Sequence, residues 1–139
     1  MRIVFIDGMG GGLVAQVISQ VTGRVPENTE LIGLGTNALA TAAMLKAGLK
    51  RGATGENAVC VTAQTADVIV GPIGIVLPNS MLGEITPRMA EAVASSRARK
   101  LLLPVSQNHF EFIGMESKPM SQLVKEAADK IVDIAGKNA

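Results

Sequence analysis

Ile3-Val4-Phe5-Ile6-Asp7-Gly8-Met9-Gly10-Gly11-Gly12-Leu13-Val14-Ala15 decides how the rest of the chain is read. A short apolar run with the look of a buried strand breaks into glycines, and an amphipathic run begins at Leu13. α/β proteins hold a phosphate in this way. The glycines let backbone approach the ligand, and the free N–H groups and dipole of the helix start meet its negative charge. Gly10 to Ala15 fits G-x-G-x-x-A, with Ala15 as the small residue that lets helix and strand pack closely. The competing reading is a tight turn that needs glycine for positive φ and binds nothing. The strand–glycine–helix context favours the phosphate site.

Working outward, Val14, Val17, Ile18 and Val21 recur at i, i+3, i+4 and i+7, one stripe on a helix. Leu31 to Gly35 reads as a second strand. Asn37 to Leu49 reads as a helix apolar on more than one face, so it is packed on two sides or set at a subunit contact. Lys50 to Thr54 reads as a loop. Either Ala58 to Thr62 is an antiparallel partner for the clear strand Asp67 to Gly71, or residues 56 to 65 are a short helix leading into it. The gap is too short for a parallel crossover, and the helix is slightly preferred. Thr86-Pro87 starts another helix as N-cap and first helical residue. Arg97-Ala98-Arg99-Lys100 reads as its solvated end. Leu101 to Val105 is the next strand, and His109 to Ile113 is a candidate edge strand. In the last helix Met120, Leu123, Val124, Ala127, Ala128, Ile131 and Ile134 form the core stripe.

Strands alternating with helices imply a parallel sheet covered on both faces. Right-handed crossovers then gather the strand-to-helix loops at one edge, where ligands bind. The residues expected to hold a ligand there are Asp7, Gly8, Gly10, Gly11, Gly12, Thr36, Asn37, Asn79, Ser80 and Glu84. The acid that would hold a ribose diol at the end of the second strand is missing. Gly35-Thr36-Asn37 stands there instead, with Thr36 or Asn37 able to bond a ribose or a 2′-phosphate. Asp7 either accepts N–H bonds from the glycine loop, the favoured role, or holds a Mg²⁺ that bridges to phosphate. No Lys-Ser or Lys-Thr follows the glycines, so this is not the nucleoside-triphosphate loop. Asn79, Ser80 and Glu84 lie in a long connection. They either serve the ligand, or satisfy turn backbone and water. Catalytic residues are not identifiable; Asp7, Glu84 and His109 are the acid–base candidates, although a lone histidine is more often structural. Cys60 reads as an inert core residue, the methionines as core filler, and one His with one Cys cannot make a zinc site.

Composition narrows the classes. The chain has 139 residues, 47% apolar and 18% charged, which suits one folded domain over residues 1–139. Its net charge of +1, without a basic arm or aromatic platform, argues against nucleic acid. Val68 to Leu77, the longest apolar stretch, is far short of the ~20 residues of a membrane span. Asp7 and the glycines cut the first apolar run too early for a signal peptide. A single cysteine fits a reducing cytoplasm.

Five runs are distinctive together: Ile6 to Gly12, Leu34-Gly35-Thr36-Asn37-Ala38-Leu39-Ala40, Ala53-Thr54-Gly55-Glu56-Asn57, Gly71-Pro72-Ile73-Gly74-Ile75, and Asn79 to Pro87. In that combination the chain resembles a bacterial domain-of-unknown-function family of short Rossmann-like proteins. The resemblance covers nearly the whole chain and implies a stand-alone α/β domain in the cytoplasm, with no activity or substrate attached. It singles out Thr54-Gly55-Glu56-Asn57, which a loop at Lys50 to Thr54 would put at the far end of the sheet from the ligand.

The expected fold is therefore α/β: one Rossmann-like three-layer domain with a mainly parallel sheet, strand order 3-2-1-4, and room for an extra edge strand. The expected function is binding of a nucleotide, such as NAD(P) or an adenine nucleotide, or another small phosphate-bearing ligand. The alternatives are a non-enzymatic sensor or accessory subunit acting through a homodimer contact, and a small transferase or hydrolase. The expected partners are that ligand and a second copy of the chain, not nucleic acid or a membrane.

Overall fold

The apolar run at Ile3 to Ile6 becomes the middle of a five-stranded parallel sheet. The computed structural model describes residues 1–105 and 110–138. β1 (Arg2–Asp7) is paired on one side with β2 (Glu30–Gly35) and on the other with β4 (Val68–Pro72). β3 (Arg51–Thr54) extends the sheet beyond β2, and β5 (Arg99–Leu103) beyond β4, giving the order β3-β2-β1-β4-β5. The order is the expected 3-2-1-4 with one further edge strand, but the strand beside β2 is Arg51–Thr54, and the run Asp67 to Gly71, expected third, lies beside β1. Five helices connect and cover the strands: α1 (Gly12–Val21), α2 (Ala38–Lys46), α3 (Glu56–Ala63), α4 (Pro87–Ser95) and α5 (Met120–Lys137). The mostly parallel sheet between two helical layers is that of a Rossmann-like domain.

Alternation along β1 divides the core. Ile3 and Phe5 pack with Val14, Val17 and Ile18 of α1 and Val124, Ala128 and Ile131 of α5. Val4 and Ile6 pack on the other face with Val59 of α3 and Met89, Ala90 and Val93 of α4. Fully burying side chains of this size stabilises by ~1.5–3 kcal/mol each, so a chain with only three aromatic residues still builds two apolar layers. The expected α1 stripe, the Thr86 cap (Met89 N–H to Thr86 Oγ1, 3.1 Å) and Pro87 at the first helical position are all present.

Several sequence readings are corrected. The third strand is Arg51–Thr54, not loop: its residues pair with Ile32 to Gly35 of β2. Strand Asp67 to Gly71 and strand Leu101 to Val105 thereby become β4 and β5. Residues 56–63 are helical, as preferred. Arg97-Ala98-Arg99-Lys100 is not a helix end, because α4 stops at Ser95 and Arg99-Lys100 begins β5. Phe110 to Ile113 form no strand; His109 lies outside the described residues. Among the described residues no helix is long and apolar enough to cross a membrane.

Candidate functional site

The strand-to-helix turns after β1, β2, β3 and β4 meet at one edge of the sheet. The first is held from inside by Asp7. Its carboxylate is buried at the end of β1 and accepts from Gly8 N–H (2.8 Å) and Val14 N–H (3.0 Å), tying strand, loop and helix together. Burial pushes its pKa above the usual carboxylate value, the two N–H bonds working the other way. Asp7 thus takes the favoured role of accepting loop N–H groups. Gly11, at φ +73°, is the N-cap of α1. A Cβ there would stand 2.8 Å from the Ala40 Cα, so glycine is what lets the loop lie against α2.

Gly10 and Gly12 are different. Both are exposed, and a Cβ on either would meet nothing within 4 Å. Among the described residues, no protein acceptor faces the N–H groups of Gly10, Gly12 and Leu13. In front of them lies a cleft of about 530 Å³, within the ~300–1,000 Å³ usual for small-molecule sites. The glycine loop forms one wall, and Leu13, Pro72, Met81, Val105 and Met120 form the apolar remainder. Met120 was expected in the core stripe of α5; it is 42% exposed and faces this cleft instead.

A second cluster lies one residue away. Glu84, from the connection between β4 and α4, reaches over the glycine loop to the end of β2. Its Oε1 accepts from Met9 N–H (2.9 Å), Asn37 Nδ2 (2.9 Å) and the Thr36 hydroxyl. The Thr36 hydroxyl and the Met9 N–H hold this carboxyl below the usual carboxylate range. Asn37 also donates to the Met9 carbonyl (2.9 Å) and caps α2 by accepting from Ala40 N–H (2.8 Å). Gly8 makes room for this arrangement: a Cβ there would stand 2.6 Å from Met81 Sδ and 2.7 Å from Thr36 Oγ1.

The remaining candidates are placed differently. Ser80 donates through its hydroxyl to the Gly74 carbonyl, and Asn79 N–H donates to the Ile85 carbonyl (2.7 Å), so these two build the turn that carries Glu84. Neither lines the cleft. His109 lies outside the described residues. Thr54-Gly55-Glu56-Asn57 falls at the same edge as the glycine loop, because β3 runs parallel to β2. Gly55 N–H donates to the Gly35 carbonyl (2.9 Å), Thr54 shares a hydrogen bond with Thr41 (2.7 Å), and Glu56 pairs with Arg88 (3.3 Å). No group of three or more His, Cys, Asp or Glu among the described residues could hold a metal.

A larger groove of about 590 Å³ runs between β5, α5 and the segment before it, lined by Ile73, Leu102, Pro104, Phe112, Met115 and Leu123 among others. The Lys118 and Glu126 charges on its wall are paired with each other at 2.8 Å. The smaller cleft is the chemically distinctive one, because residues whose backbone N–H groups have no protein acceptor among the described residues line it.

The model of a family described as Domain of unknown function (DUF3842) matches residues 2–136. No curated protein and no solved structure matches the chain.

Proposed function

Since the chain belongs to this family of unknown function, and membership brings no activity with it, we propose from the site itself that the protein binds a nucleotide or similar phosphate-bearing ligand at the glycine loop. The N–H groups of Gly10, Gly12 and Leu13 receive a phosphate at the positive end of α1. A planar or apolar remainder lies against Leu13, Met81, Val105 and Met120. The observation that carries this reading is the opening in front of Gly10 and Gly12, with donors free while the Asp7 carboxylate is already engaged by the Gly8 and Val14 N–H groups.

The test is a thermal-shift panel of adenine and nicotinamide nucleotides on wild type and Gly12→Asp. At 100 times Kd a ligand adds ~2.7 kcal/mol, several degrees for a domain of this size. The added carboxylate occupies open space, so the fold is retained and the shift is lost. An undiminished shift in Gly12→Asp removes the glycine loop from the site.

A second reading, a sensor or accessory subunit working as a homodimer, is favoured by the outward face of α2. Ala38, Leu39, Ala42 and Leu45 are exposed there, beside a β3 edge whose four residues are all exposed. An open strand edge next to an apolar helix face is a surface that another chain covers.

A further inference from the structure

We propose that Glu84 is the acceptor for the 2′- and 3′-hydroxyls of a ribose, so that the ligand is a ribonucleotide with a free diol rather than a 2′-deoxy or 2′-phosphorylated one. This rests on the nucleotide reading above and adds the sugar to it.

Dinucleotide-binding sheets place a carboxylate at the end of the second strand for this purpose. Here β2 ends in Gly35-Thr36-Asn37, which has no acid. The structure brings one from 48 residues away: Thr36 and Asn37 donate to Glu84 and hold its carboxylate over the end of β2. All three protein donors converge on Oε1, and among the described residues Oε2 has no protein donor. One oxygen is therefore fixed and the other is left as an ionised acceptor, which suits a pair of hydroxyls and repels a phosphate.

Position supports the assignment. Glu84 takes the N–H of Met9, and the first open amide for a phosphate is the next residue, Gly10. Glu84 does not line the apolar cleft, which remains for the rest of the ligand.

The connection that delivers Glu84 is built with three non-glycine residues in left-handed conformation, Asn79 (φ 65°), Met81 (φ 56°) and Leu82 (φ 55°). Ile85 N–H donates to the Ser80 carbonyl (3.2 Å) and Glu84 N–H to the Met81 carbonyl (3.1 Å), closing the turn around it. Backbone of this kind persists where surrounding contacts over-determine it, and it concentrates at ligand sites.

The experiment is calorimetric titration with ADP, 2′-deoxy-ADP, adenosine 2′,5′-bisphosphate and inorganic pyrophosphate. ADP is expected to bind wild type at least about tenfold more tightly than 2′-deoxy-ADP, the usual scale when a charged acceptor loses its donor. The bisphosphate is expected to bind more weakly still. In Glu84→Gln the ribose preference collapses toward unity. Equal affinity for ADP and 2′-deoxy-ADP in wild type overturns the inference, and that comparison needs no variant. Tighter binding of the 2′-phosphate, or an unchanged preference in folded Glu84→Gln, also overturns it. Pyrophosphate binding without ribose discrimination leaves the glycine-loop site standing and removes only the sugar. Failure to bind pyrophosphate or any nucleotide removes both.

Discussion

Gly11 and Gly12 stand next to each other in the same loop, yet alanine at the two positions is expected to act in opposite directions. At Gly11 the backbone is left-handed, φ +73°, which costs an L-residue ~1–2 kcal/mol. The new Cβ would also lie 2.8 Å from the Ala40 Cα, 3.1 Å from the Ala40 carbonyl oxygen and 3.2 Å from the Ala43 Cβ. Two of these are backbone atoms of α2, so relief requires a helix to move, and overpacking of that kind costs a further ~1–3 kcal/mol. Gly11→Ala should therefore lose roughly 2–5 kcal/mol, a large share of the ~5–15 kcal/mol that holds a domain together. Gly12 has no positive φ, and its Cβ would meet only open space. Gly12→Ala adds a better helix former at the first position of α1, so it should be neutral or gain up to ~1 kcal/mol. Urea denaturation of the two variants beside wild type measures both values. If Gly11→Ala unfolds at the wild-type midpoint, the loop does not rest on α2 and the geometry of the site is wrong. If Gly12→Ala is as damaging as Gly11→Ala, the space in front of α1 is not open.

The other predictions use different readouts. Because Glu84 titrates below its ordinary value of 4.5 when folded, its contribution to stability is complete above that pH and is lost as pH falls through the folded value. Wild type should therefore lose more stability on acidification than Glu84→Gln, measured as urea midpoints across the acid range. Asp7, raised by burial, works in the opposite sense in both proteins; superimposable curves would show that the Glu84 contacts do not persist in solution. If α2 forms the homodimer contact, Leu39→Glu, at a side chain 69% exposed, should convert a dimer to a monomer in sedimentation velocity with little change in stability. A wild-type monomer at every concentration would remove that reading.

How much of this was legible depended on whether the signal was local. The passage from strand to glycines to helix, the α1 stripe and the Thr86-Pro87 start each carry their reasons within a few residues, and each is found where expected. Arg51-Gly52-Ala53-Thr54 has no apolar alternation. It is a strand only because β2 offers its edge, so Thr54 to Asn57 was read at the wrong end of the sheet. The polar candidates Asp7, Thr36, Asn37 and Glu84 do come together at the edge where the strand-to-helix turns meet. That Thr36 and Asn37 bond to Glu84 could not be read, since it depends on how a distant connection crosses the loop. The apolar wall was missed for a related reason: a methionine at the start of a helix stripe, such as Met120, looks like core until its neighbours are known.

The placement of β1 also bears on how the molecule comes into being. Its central strand is the first of the five to leave the ribosome, but its β4 partner follows much later, since Ile3 pairs with Val68. At synthesis rates of ~5–20 residues per second, β1 waits for roughly 3–13 s with that edge bare. Ile3 to Ile6, fully buried in the finished protein, is thus a segment in need of protection while the chain is being made.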